Sequence, residues 1–153
     1  MDIARFKHKT QVRVRNYEID WQGILHNAVY LYYFEIGRIA YLEQIGVKID
    51  LNSIQHNTKI VVARNEIDYH SSARFGDLID VHTRISFIRN TSFAFEGILE
   101  DASTKRRIAE NLSIHVWIGD RTNEPTRVGE DFRSRVRQFE GENVLIAKPT
   151  ITV

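Results

Sequence analysis

The sequence predicts an α+β domain in which a curled antiparallel sheet wraps around one long central helix. Three observations carry that reading. One helix-length segment is apolar on nearly every side, β-patterned segments follow it, and the links between the later ones are short enough for hairpins. At 153 residues, with 42% hydrophobic and 27% charged side chains, the chain has the size and composition of a single globular domain, residues 1–153.

The first element is a short strand over 11–15, where Val12 and Val14 alternate with Arg13 and Arg15. Asn16 to Gly23 then reads as turn. Asn27 is a suitable N-cap for a helix from Ala28 to Gly46, interrupted only by Gly37. About 18 helical residues give a rod of roughly 27 Å. Val29, Tyr30, Leu31, Tyr33, Phe34, Ile36, Ile39, Ala40, Tyr41 and Leu42 point nearly all round it, so the helix should be surrounded. Glu35 and Arg38, three apart, are spaced to pair.

Residues 60–69 are rich in β-formers but alternate poorly, the mark of a bulge or of burial on both faces. Residues 79–88 set Ile79, Val81, Ile85 and Phe87 against Asp80, His82, Arg84 and Ser86. Residues 93–100 set Phe93, Phe95 and Leu99 against Ala94, Glu96, Ile98 and Glu100. Residues 106–118 place Ile108, Leu112, Ile114, Val116 and Ile118 on one face. Links at 89–92 and 101–105 suit hairpins, hence an antiparallel sheet. Phe132, Val136 and Phe139 mark a short amphipathic helix.

A formal charge of +1 argues against a nucleic acid or an anionic membrane as partner. With no cysteine, thiolate catalysis and disulfides are excluded. The opening MDIARFKHKT is too charged for a secretory signal, and the apolar run Ala28 to Phe34 is too short to span a bilayer. A soluble, cytoplasmic protein is expected. Exposed sheet edges and surplus apolar surface predict a homo-oligomer, dimer or tetramer.

There is no G-x-S-x-G elbow, phosphate-binding glycine loop or dinucleotide fingerprint. His8, His26, His56, His70, His82 and His115 show neither H-x-H nor H-E-x-x-H spacing, so neither a metal nor a cofactor is expected. One stretch is chemically loaded: Asp20, Gly23, His26 and Asn27, just ahead of the helix. A helix start presents unpaired N–H groups that can polarise a carbonyl, and a nearby carboxylate can attack it or activate water. Asp-x-x-Gly is equally the pattern of a type I turn, and Asn27 that of a plain cap.

Residues 13–46 resemble the signature of the 4-hydroxybenzoyl-CoA thioesterase group of hotdog-fold proteins. The motif Y-x-E-x-D-x-x-G is met by Tyr17, Glu18, Asp20 and Gly23; His26, Asn27 and Tyr30 follow, then Phe34, Glu35, Gly37 and Arg38 as the helix motif. Tyr69 to Asp80 and Trp117 to Pro125 resemble later segments of that family, with Ser72 in place of its usual proline. The resemblance implies a hotdog fold and hydrolysis of an acyl-CoA thioester. It implies Asp20 as catalytic carboxylate, and a backbone amide near His26 or Asn27 as holder of the thioester oxygen. Gly23 would allow close approach of the substrate. Where many relatives carry tyrosine then histidine, this chain has His26 then Asn27. Tyr30, Tyr33 and Phe34 are candidates to line the acyl tunnel. Arg89, Asn90 and Ser92 are candidates to hold the coenzyme A phosphates, with Arg64, Arg106 and Arg107 behind them. Two other activities are compatible with the fold. Hydratases of enoyl-CoA pair Asp with His at a tighter spacing than Asp20 and His26 and include a proline, and a non-catalytic acyl-CoA binding module is the third reading.

Overall fold

The computed structural model describes residues 1–48, 59–119 and 121–147. In order come β1 (His8–Arg13), α1 (Val29–Gln44), β2 (Lys59–Tyr69), β3 (Leu78–Ile88), β4 (Ser92–Asp101), β5 (Arg107–Ile118), α2 (Glu130–Glu140) and β6 (Leu145–Ile146). The sheet order is β1-β3-β4-β5-β2, every neighbouring pair antiparallel, with β6 parallel to the end of β3. This is the expected curled sheet around one helix. His56, and Asp120 within the Trp117 to Pro125 segment, lie outside the described residues.

One core cluster joins Tyr30, Tyr33 and Phe34 of α1 to Ile79, Val81, Leu99 and Ile108 on the sheet. A second joins Tyr41, Leu42 and Ile45 to Ile85, Phe93, Phe95 and to Phe132 and Val136 of α2. Helix and sheet meet closely at Gly37, where an added Cβ would stand 2.5 Å from Thr83 Oγ1 and 2.6 Å from Val81 Cγ1. The C-terminal helix expected from Phe132, Val136 and Phe139 is α2. Arg133, 1% exposed, ties it to the rest by donating to the carbonyls of Val128, Arg89 and Asn90.

Several expectations are corrected. The first strand begins at His8 and ends at Arg13, earlier than 11–15, because it pairs along β3 from Thr83 to Leu78. Among the described residues the helix is not fully surrounded. Tyr32 is 64% exposed, and Ile36 and Ile39 are exposed too. Glu35 faces solvent and makes no ion pair with Arg38 among the described residues. A bulge between Ile85 and Phe87 turns Phe87 away from the core and brings Ile88 in. On β5 the apolar file Leu112, Ile114 and Val116 is half-buried on the outer face, whereas Asn111, Ser113 and His115 are buried against the core.

Candidate active site

Asp20 sits in a small hairpin-like loop. Ile19 bridges Leu25, Asp20 N–H donates to Ile24 O at 2.8 Å, and Gly23 N–H closes the turn on Asp20 O at 3.0 Å. Gly23 takes φ +77°, a left-handed conformation that favours glycine. The space where its Cβ would lie is open, as a substrate approach requires. So Asp-x-x-Gly is indeed a turn, and the turn is what presents the carboxylate. Asp20 is half-buried. Its Oδ1 accepts the Gln22 N–H at 2.8 Å, and no hydrogen bond occupies Oδ2 among the described residues.

The loop is anchored on both sides. Leu25, buried, donates to Ala73 O at 2.8 Å, and Ile24 bridges Arg74. His26 N–H donates to Glu18 O at 2.9 Å. The Glu18 carboxylate is buried and accepts the Tyr33 hydroxyl at 2.6 Å and the Arg15 N–H at 2.7 Å. Burial, then Glu18, drive the Tyr33 hydroxyl well above its ordinary range, so it stays protonated as donor. Glu18 and Tyr33 therefore clamp the Asp20 loop to α1. Tyr33→Phe deletes a hydrogen bond to a buried charge and should cost about 2 kcal/mol of stability. A urea midpoint unchanged from wild type would contradict the clamp.

The helix start differs from expectation. Ala28, not Asn27, occupies the N-cap position, and it caps with no side chain. His26 supplies the acceptor: its Nδ1 receives the Ala28 N–H at 3.1 Å, and its carbonyl receives the Val29 N–H at 2.9 Å. By accepting the Ala28 N–H, His26 Nδ1 acts as a cap of the helix start. The Asn27 carbonyl accepts the Tyr69 hydroxyl at 3.1 Å. The Asn27 side chain is exposed, and its backbone N–H has no partner among the described residues. Of the two amides proposed for the thioester oxygen, His26 is already committed to Glu18 and Asn27 is free.

Tyr30 is buried, edge-on to Tyr69 with centroids 5.0 Å apart, and Asp20, Ala73 and Arg106 all act on its hydroxyl. Phe34 lies over Gly97, which has no Cβ to obstruct the ring. Both residues therefore run inward from Asp20. Arg89, Asn90 and Ser92 do not join them. They form the β3–β4 hairpin at the other end of the sheet, where Ser92 faces Val116, whereas the Asp20 loop adjoins the end where Tyr69 faces Ala109. Seven residues of β4 separate the two ends, roughly 23 Å at 3.3 Å each. Sequence spacing has no access to that distance. Arg106, which donates to Ser72 O at 2.9 Å, and Arg107 are at the Asp20 end, while Arg64 is paired with Glu66 on β2.

Asp80, His82 and Glu100 are clustered on the outer sheet face with potential ligand atoms within 4.8 Å of one another. Lys105 Nζ at 3.0 Å and Lys9 Nζ at 3.3 Å from Asp80 Oδ2 already supply the positive charge there. No helix of the described residues is long and apolar enough to cross a membrane.

A family model described as the thioesterase-like superfamily matches residues 14–136. The acyl-acyl carrier protein thioesterase ATL3 of Arabidopsis thaliana is 30% identical over 132 residues, 86% of this chain and 68% of the relative. The long-chain acyl-CoA thioesterase FadM of Escherichia coli is 25% identical over 135 residues, 86% of this chain and 98% of the relative. Among solved structures, a thioesterase from Thermus thermophilus complexed with coenzyme A and Zn is 31% identical. Its TM-score is 0.77, covering 89% of this chain and 96% of that one.

Proposed function

Because the chain belongs to the thioesterase-like superfamily and is a thioester hydrolase, we propose that it cleaves an acyl-coenzyme A with Asp20 as its central catalytic group. The observation that carries the assignment is a half-buried carboxylate and the Asn27 amide on the same loop and helix start, the amide and one carboxylate oxygen both without a partner among the described residues. The motif resemblance to the 4-hydroxybenzoyl-CoA thioesterase group supports the same placement.

In this reading the thioester oxygen accepts the Asn27 N–H, which stabilises the charge that builds on it during attack. Asp20 either attacks the carbonyl carbon or takes a proton from the attacking water. The carbon–sulfur bond breaks, coenzyme A leaves as the thiol once protonated, and one water is consumed to give the carboxylic acid. Gly23 leaves the approach open, Tyr30 and Phe34 flank the acyl group, and His26 holds the helix start in place.

We place the second copy of the chain at β2, an edge strand exposed along most of its length. Antiparallel pairing of β2 with itself would set the Lys59 end of one protomer beside the Tyr69 end of the other. The partner's hairpin would then lie on the side of the seam nearest Asp20. That would give Arg89, Asn90 and Ser92 a route to the coenzyme A phosphates that a single chain lacks.

Purified protein assayed with acyl-CoAs of different chain lengths, and with the corresponding acyl carrier protein thioesters, should release free thiol. Higher kcat/KM is expected for the coenzyme A series. Hydration of an enoyl-CoA without thiol release, or tight binding with no turnover, would refute the assignment.

A further inference from the structure

The Asn27 N–H belongs to the peptide plane it shares with the His26 carbonyl, and that carbonyl accepts the Val29 N–H at 2.9 Å. The next plane carries the Asn27 carbonyl, which accepts the Tyr69 hydroxyl at 3.1 Å. It also carries the Ala28 N–H, which donates to His26 Nδ1 at 3.1 Å. Each peptide plane is rigid, so two anchored planes leave the φ and ψ of the residue between them little freedom. The direction of the Asn27 N–H is thereby set. It is the one group of the two planes without a partner among the described residues.

Two of these three anchors are local, within residues 26–29, and the third comes from 42 residues along the chain. Tyr69 alone engages the Asn27 carbonyl among the described residues. It ends β2, where it pairs with Ala109 of β5. Just beyond it the His70 and Ser71 N–H groups donate to Ile108 O at 2.8 and 3.1 Å. The Tyr69 ring stands edge-on to the buried ring of Tyr30 on α1, centroids 5.0 Å apart. Its backbone is thus held by the sheet and its ring by the helix, so the hydroxyl is presented from two rigid elements.

We propose that Tyr69 is a positioning residue for thioester cleavage: its hydroxyl, through the Asn27 carbonyl, aims the Asn27 N–H at the charge that grows on the thioester oxygen. The proposal rests on the thioesterase reading above and deepens it. A donor aimed in advance needs no reorganisation when that charge appears. The charge is full only in the transition state, so the hydroxyl acts on kcat and leaves KM nearly unchanged.

The test compares wild type with Tyr69→Phe, which keeps the ring and deletes the hydroxyl. On octanoyl-CoA, kcat should fall about tenfold, the share of one hydrogen bond, with KM within about twofold. Two uncleavable analogues read the aim without turnover, by calorimetric titration. The ketone with a methylene in place of sulfur keeps the carbonyl oxygen, and the S-octyl thioether lacks it. Wild type should bind the ketone more tightly than the thioether. Tyr69→Phe should lose most of that difference while its thioether affinity is unchanged; a merely structural role would move both analogues together. Thiol release with no ketone preference in wild type, or with kcat and ketone preference both intact in Tyr69→Phe, would refute the positioning role alone. A ketone preference lost in Tyr69→Phe, with no thiol release from any acyl-CoA, would keep Tyr69 aiming the amide and refute the thioesterase reading. Equal weakening of both analogues, or a changed oligomeric state with the ketone preference intact, would assign Tyr69 to the packing of β2 and overturn the proposal.

Discussion

Asp20→Asn is expected to lower kcat on the best acyl-CoA about a thousandfold, within the range for loss of a general base or nucleophile. KM should stay within a few-fold of wild type, because the change removes chemistry and leaves the binding surface in place. The substitution is nearly isosteric. An asparagine Oδ1 can still accept the Gln22 N–H that Asp20 accepts at 2.8 Å, so the turn and the Gly23 conformation survive. An amide can neither attack a thioester nor take a proton from water. Retention of more than about a tenth of wild-type kcat, with the fold intact, would remove Asp20 from the mechanism. A single turnover in heavy-oxygen water tests the covalent route: label found in the Asp20 carboxylate signifies an anhydride intermediate opened at the Asp20 carbon, whereas label only in the released acid fits both a general base and an anhydride opened at the acyl carbon.

A large loss of stability is expected on mild acidification. Burial, then the nearby Arg38 charge, lower the His115 imidazole from its ordinary 6.5 to about 4, and burial also lowers His8 and His82. Each is therefore held neutral in the folded chain and protonates more readily once unfolded. The stabilisation is complete above about pH 6.5, shrinks as pH falls, and is gone below the folded value. For His115 alone this amounts to about 2 kcal/mol lost by pH 5 and about 3 kcal/mol by pH 4. His8 and His82 act in the same direction. Asp80 and Glu110, held below the usual carboxylate range, extend the decline at still lower pH. Urea unfolding at about pH 7.5 and pH 5 should show this drop, and His115→Gln should flatten its share. Stability equal at the two values would mean that His115 is solvated.

The fold was readable because its signals are local. The all-round apolar helix, the period-two strands and the short hairpin links each lie within a dozen residues and need no partner to be seen. The Asp20 turn was readable for the same reason, since one Asp and one Gly three apart define it. The Glu18–Tyr33 clamp was not, because its partners are 15 apart and meet only once the loop folds onto α1. The capping role of His26 was hidden because histidine is not a characteristic cap and Asn27 beside it is.

Backbone preference and hydrophobic period, both written along the chain, were enough for a curled antiparallel sheet around one helix and a carboxylate turn at that helix's start. Which faces and ends come together emerged from packing alone. The bulge in β3 re-aimed Phe87, the inner face of β5 proved polar, and Arg89 stood a strand's length from Asp20. Alternation tells that two faces differ but not which one meets the helix, and it carries no information about distance along the sheet.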